Sequence, residues 1–212
     1  MRWACGGLVL ALAGLILWGS FAWGPRPLAP SPAQVTAGYG VRNAVAAVVL
    51  GARLWDTLLE VLVFAVAMAG VRFGLSPLPR AGKPTPLPES HLLARMGDVL
   101  FAPVAVFSLY LALSGHLGPG GGFPAGAILG SGLLLLALAM GMEPLSRRLH
   151  EGTLERLEYG TVAALLGAGV GMGLAGRWGP GWFVAANLAI ALEVAIGAWV
   201  VLHRFAAHRG EL

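Results

Sequence analysis

Three acidic side chains lie where an apolar chain has little reason to carry them: Asp56, Glu60 and Glu193. Asp56 and Glu60 are four residues apart, so a helix places them on one face, and Arg53, three residues before Asp56, falls on nearly the same face. A charged side chain at the centre of a bilayer costs about 2.5 to 3.5 kcal/mol on insertion scales, so such groups turn inward to protein or water. For Asp56 two readings stand: an ion pair with Arg53 near an interface, or a part in transport. Glu60 has no obvious partner and reads either as a proton or cation relay or as an interhelical hydrogen-bonding group. Glu193, with Ala189 and Gly197 four residues to either side, sits where a second helix can approach closely, and the same two readings apply. Asp98 and Glu143 fall at span ends and read as interfacial.

His116 is the one histidine beside a turn instead of a basic terminus, and its ring can titrate near neutral pH. It reads as a proton shuttle or as a structural hydrogen-bonding group. The histidines show no metal-ligand spacing, and the single cysteine, Cys5, excludes an intramolecular disulfide and any CxxC site, so no metal and no cofactor is expected. Ser108, Ser114 and Ser131 have no histidine at matching depth to activate them, which argues against an enzyme.

The elements that position these groups follow from composition. The chain has 212 residues, 57% hydrophobic and 11% charged, and a mean hydropathy of +0.77. A soluble domain carries about a quarter charged residues, so this is an all-α polytopic membrane protein. Six apolar runs are long enough to cross a bilayer: residues 3–23, 50–71, 96–114, 123–142, 159–176 and 181–201. The first could also be a secretory signal, but it lacks a convincing cleavage pattern and is retained as a helix. Trp3, Trp18, Trp23, Tyr159, Trp178, Trp182 and Trp199 mostly fall near span ends, as interfacial anchors do.

The net charge of +4 comes from basic residues at span ends, a topology signal and not a nucleic-acid surface. With a cytoplasmic amino terminus, ten of the 14 lysines and arginines lie inside, and Arg26, Arg42, Arg53 and Arg177 lie outside. Both termini are therefore expected in the cytoplasm. The prolines at 77, 79, 84, 86 and 88 mark residues 77–95 as an extended cytoplasmic linker between residues 1–76, with two helices, and residues 96–212, with four. In the fifth span Gly167, Gly171 and Ala175 form one small-residue row, and Gly169 with Gly173 a second, which suits close helix packing.

Between the third and fourth spans runs Gly115-His116-Leu117-Gly118-Pro119-Gly120-Gly121-Gly122-Phe123-Pro124-Ala125-Gly126. Its glycines and prolines cannot continue a helix, so the chain turns there. It lacks the lysine and serine or threonine of a phosphate loop. This run resembles the signature turn of the MnhB/MrpB family, the B subunit of multisubunit Mrp-type Na+/H+ antiporters, and its counterpart in membrane-bound hydrogenases. The segment from Arg42-Asn43-Ala44-Val45 to Asp56-Thr57-Leu58-Leu59-Glu60 is similar to the Asp-Thr-Leu-Gly-Glu helix in the carboxy-terminal part of the antiporter A subunit and in a small separate hydrogenase subunit, with Leu59 where that pattern has glycine. Asn187 to Val194 resembles the final helix of the B-type subunit.

These resemblances imply a fusion of two subunits within a large complex related to the proton-pumping arm of respiratory complex I. They imply a multi-pass protein of the inner (plasma) membrane, with other complex subunits, Na+, H+ and the lipid bilayer as partners and no nucleic acid. A chain of this kind helps assemble a cation pathway and is not an enzyme alone, and Lys83, the one lysine, lies in the linker, away from any lysine-based proton channel. Asp56 and Glu60 carry over by motif position; Glu193 and His116 are further pathway candidates. Gly115, Pro119, Gly120, Gly121, Gly122, Phe123 and Gly126 define the motif turn. The alternative is a purely structural subunit of a membrane-bound hydrogenase or another redox complex related to complex I.

Overall fold

In the computed structural model the described residues are 14, 30–75 and 91–207, and the expected first span, apart from Gly14, and the proline-rich segment 76–90 lie outside them. The chain divides into a unit of residues 1–31 and a unit of residues 32–212, and the second unit holds the helix bundle. Its elements are α1 Pro32–Tyr39, α2 Ala44–Ala47 leading into a π-helical turn Val48–Ala52, α3 Leu54–Leu75, α4 His91–Ser114, α5 Gly122–Met140, α6 Met142–Arg148, α7 Glu151–Ala175 and α8 Pro180–Ala207. No strand occurs among the described residues. Five of the helices, α3, α4, α5, α7 and α8, are long and apolar enough to cross a membrane. This is an all-α, multi-pass architecture.

α8 is the central helix. In its most apolar stretch 56% of residues are buried inside the chain, against at most 33% in the other four, and it packs on α3, α4, α5 and α7. Glycines make the α5–α8 contact close. A Cβ at Gly122 would stand 2.6 Å from the Asn187 carbonyl oxygen and from Ile190 Cβ, at Gly126 2.6 Å from the Ala191 carbonyl oxygen and Val194 Cβ, and at Gly130 2.6 Å from Ala198 Cβ. The four-residue spacing puts all three on one stripe of α5. Of the two small-residue rows in α7, the row of Gly169 and Gly173 meets Leu58, Leu54 and Trp55 of α3, whereas Gly167 and Gly171 face open space. Trp182 and Trp199 are buried within the chain: Trp182 Nε1 donates to the Leu50 carbonyl at 2.9 Å, and Trp199 stacks on His203.

α1 and the α2–π segment bend by 66° at residues 40–43, a region whose sequence reads only as a connection. Asn43 lies against the 115–118 turn and Leu50 against Trp182, so both ends of α2–π sit at the end of the bundle that carries the 115–121 and 176–179 connections. Nine residues of helix span about 13 Å, far short of a hydrocarbon core about 30 Å thick. By itself the segment is too short to cross a hydrocarbon core, whereas with α1 it forms a bent pair long and apolar enough to count as one broken span or a re-entrant loop. Tyr39 meets Trp178 and Phe183 edge to face, which seats α1 on the same end.

Candidate functional site

The motif turn is a hydrogen-bonded structure in which glycine is required at two points. Gly120 and Gly121 adopt φ of 156° and 123°, and a Cβ on Gly120 would lie 2.8 Å from the Leu111 carbonyl oxygen. The Gly121 N–H donates to that same carbonyl, and the Leu117 and Gly118 N–H groups donate to Ser114. α5 begins at Gly122 with no capping side chain of its own. Asn187 of α8 fills the role, its Oδ1 accepting the Gly122 N–H at 2.8 Å. From the other side Asn43 Nδ2 donates to the carbonyls of Gly115 at 2.8 Å and Gly118 at 2.7 Å, while its Oδ1 caps α2 at Val45. The His116 carbonyl accepts from the Arg42 and Asn43 N–H groups, and its buried Nδ1 has no protein partner. Around this junction Asn43, Gly115, Gly120 to Pro124, Asn187 and Ile190 line a cavity of about 160 Å³. Pro119 is exposed, and Phe123 packs against the main core.

The acids separate into two environments. Arg53 and Asp56 form the expected pair, at 2.6 Å, with both side chains more than half exposed. Glu60 shares that exposed face of α3 and has no hydrogen bond or ion pair within the described residues. Because α3 starts at Leu54 instead of residue 50, Glu60 stands about 9 Å in from the end that carries the motif turn, nearer that end than the mid-span position expected from sequence. Glu193 is 1% exposed, at mid-length of α8, and its Oε1 has no partner. Gly197 serves as the sequence suggested: a Cβ there would meet the Phe64 ring at 2.5 Å, so α3 lies tight against this face.

Sequence reasoning misses the buried ion pair between Arg72 Nη2 and Glu158 Oε2. By sequence Arg72 ends a span beside the linker, and Glu158 lies just before a span drawn from Tyr159. α7 in fact begins at Glu151, which carries Glu158 two turns inside, where it is fully buried against α3. Arg72 also lies over the Tyr159 ring, 5.8 Å from its centroid. Two turns nearer the helix end, Arg204 Nε donates to Glu151 Oε1 at 3.0 Å, and Ala69, Arg72, Glu151, Glu155, Tyr159 and Arg204 line a polar cavity of about 540 Å³. The side chains of Asp98 and Glu143 lie outside the described set. No cluster of three or more metal-ligating side chains occurs among the described residues.

The family model described as a domain related to the MnhB subunit of Na+/H+ antiporters matches residues 92–206, from α4 to the end of α8. The chain belongs to the MnhB family. No curated protein matches the sequence. Among solved structures, this MnhB-family chain is similar to a chain of the membrane-bound sulfane sulfur reductase, an archaeal respiratory membrane complex. The identity there is 25%, the TM-score 0.65, and the match covers 98% of this chain and 97% of that one. It also shares its fold with a chain of the Mrp complex from Dietzia sp. DQ12-45-1b, at 21% identity and a TM-score of 0.67, covering 98% of this chain. The MnhB-family chain spans 26% of that longer chain.

Proposed function

We propose that this protein is a membrane subunit of a multisubunit monovalent cation (Na+)/H+ antiporter of Mrp type, contributing to complex assembly and to the ion and proton pathway. The observation that carries this reading is membership of the MnhB family across α4 to α8. The fold shared with an Mrp complex chain agrees with it. The chain acts within its complex and is not an enzyme alone. It is held in the plasma membrane with both termini cytoplasmic, so that the motif turn is outside and the cavity lined by Arg72 and Arg204 inside. Residues 1–76 serve as the A-subunit-like segment and residues 96–212 as the B-subunit-like segment, and matches that run over 98% of the chain on single chains favour both acting as one unit.

The exposed carboxylate of Glu60 supports a role inside an assembly. On α3 it is flanked by exposed Leu59, Val63 and Val66, a face that would put an unpaired acid into lipid if nothing covered it. A neighbouring subunit seated there turns Glu60 into a group at an inter-subunit seam, where a change of protonation accompanies cation movement, with Asp56 at the seam's outer end. Glu193 and His116 are the remaining pathway residues.

A second reading, a structural subunit of a redox-coupled membrane complex, is favoured by the nearly end-to-end match with a chain of a respiratory complex. Purification of the tagged chain without dissociating its neighbours, followed by mass identification, separates the two. Antiporter-like subunits without a redox module support the first reading. Co-purifying subunits that carry iron–sulfur clusters overturn it in favour of the second.

A further inference from the structure

α7 and α8 leave an open, mostly apolar groove of about 440 Å³ between them, and it shares no lining residue with either cavity described above. Its walls are small: Gly160, Ala164 and Ala168 recur every four residues along one stripe of α7, and Ala185 and Ala189 do the same on α8. Trp182 and Leu165, both buried, line it toward the core. A Cβ on Gly160 would meet nothing within 4 Å, so the two helices do not close on one another there. Two polar groups stand in this lining. Arg156 is exposed at the end nearest the start of α7 and makes no ion pair with another described residue. The positions three and four residues away, Gly152, Thr153, Tyr159 and Gly160, offer it no carboxylate. Thr161 lies five residues further along α7, and its hydroxyl has no hydrogen bond to a described residue. From Arg156 to Ala168 the helix rises about 18 Å, against about 15 Å of hydrocarbon in one leaflet, half of a core about 30 Å thick.

We propose that this groove binds a single phospholipid from the leaflet at the α7 N-terminal end, with its phosphate on Arg156, its ester region at Thr161 and one acyl chain laid over Ala164 and Ala168 toward Trp182. An arginine near a span end runs its apolar stem along the helix and carries its charge to headgroup depth, where phosphate is the anion at hand. The Thr161 hydroxyl, about 7.5 Å further in, donates to an ester carbonyl instead of standing unpaired in hydrocarbon. The dimensions select a chain over a helix. A volume of about 440 Å³ spread along about 18 Å averages about 24 Å² in section, whereas a helix with its side chains is about 10–12 Å across. A neighbouring subunit's helix would also have to bring an acid to the depth of Arg156, and every phospholipid supplies that charge. The site is built from this chain's own helices and does not depend on the antiporter reading.

The experiment places the intact purified complex in vesicles of phosphatidylethanolamine and phosphatidylglycerol that carry a trace phospholipid with a photoactivatable group midway along one acyl chain. After illumination, mass mapping should find the label on residues 160–168 and 182–189. Gly160→Leu should remove that label, because its side chain enters the groove without a clash. Gly171→Leu, which also has open space but lies outside the groove, should retain it. Arg156→Gln should need about fivefold more probe for the same labelling, the factor expected of one arginine at a lipid surface, and Arg156→Lys should restore the parental value. An excess of inorganic phosphate should leave the label unchanged, which separates a lipid headgroup from a free anion. Equal labelling of the parent and Gly160→Leu overturns the proposal in favour of ordinary bilayer contact. Label absent from the groove in the parent overturns it too, and if Gly160→Leu then sheds a subunit, the groove belongs to a neighbour's helix.

Discussion

Replacing Gly126 by alanine should loosen the seam on which the whole bundle depends. The added Cβ would stand 2.6 Å from both the Ala191 carbonyl oxygen and Val194 Cβ, and ordinary contact is about 3.5 to 4.0 Å. Neither obstacle is the tip of a flexible side chain, so relief requires α5 and α8 to part by about 1 Å. A gap of that size forfeits a quarter to a half of the attraction of each contact along the stripe, and overpacking of this kind costs about 1 to 3 kcal/mol, or about 5- to 150-fold in the folded population. Val194 follows Glu193 directly, so the displacement also moves that carboxylate. The assay is thermal inactivation of the detergent-solubilised complex, with Gly167→Ala as control. Gly167 has nothing within 4 Å, and alanine there gains about 1 kcal/mol of helix propensity. Gly126→Ala should inactivate at a lower temperature than the parent, and Gly167→Ala at the same or a higher one. If the two variants behave alike, close packing of α5 on α8 does not hold this protein together.

Three further outcomes follow from the polar contacts. Asn43→Ala leaves the Gly115 and Gly118 carbonyls without their side-chain donor and should destabilise the motif turn by about 1 to 3 kcal/mol, seen as faster amide exchange at residues 115–121. Arg72→Met strands a buried carboxylate and should cost about 3 to 5 kcal/mol, whereas the double variant Arg72→Met/Glu158→Leu should recover most of that, measured as retained complex after heating. Arg53→Ala breaks an exposed pair and should change stability by less than about 1 kcal/mol by the same measure.

Legibility in the sequence followed the range of the interaction. The five long helices were readable because each requires only an unbroken apolar run, and the Arg53–Asp56 pair because its members are three residues apart. The burial of Glu193 was readable from Ala189 and Gly197 on its own helix. Asn43, Asn187 and Arg72 were not, since their partners stand 65 to 86 positions away and a polar residue near a span end looks alike whether it meets water or another helix. Glu158 was lost to a boundary: the charged first turns of α7 lower its hydropathy, so the apolar run starts at Tyr159 and the acid falls at its edge. The 66° bend at residues 40–43 was hidden because α1 and α2 are each too short to give a helical period.

The central claim, that this chain forms part of a cation-linked proton pathway, is tested most directly by Na+-dependent proton flux in membrane vesicles that carry the whole complex with Glu60→Gln in place of the parent chain. The account predicts assembly at parental levels and loss of Na+-dependent flux. Parental flux from the fully assembled variant would contradict it.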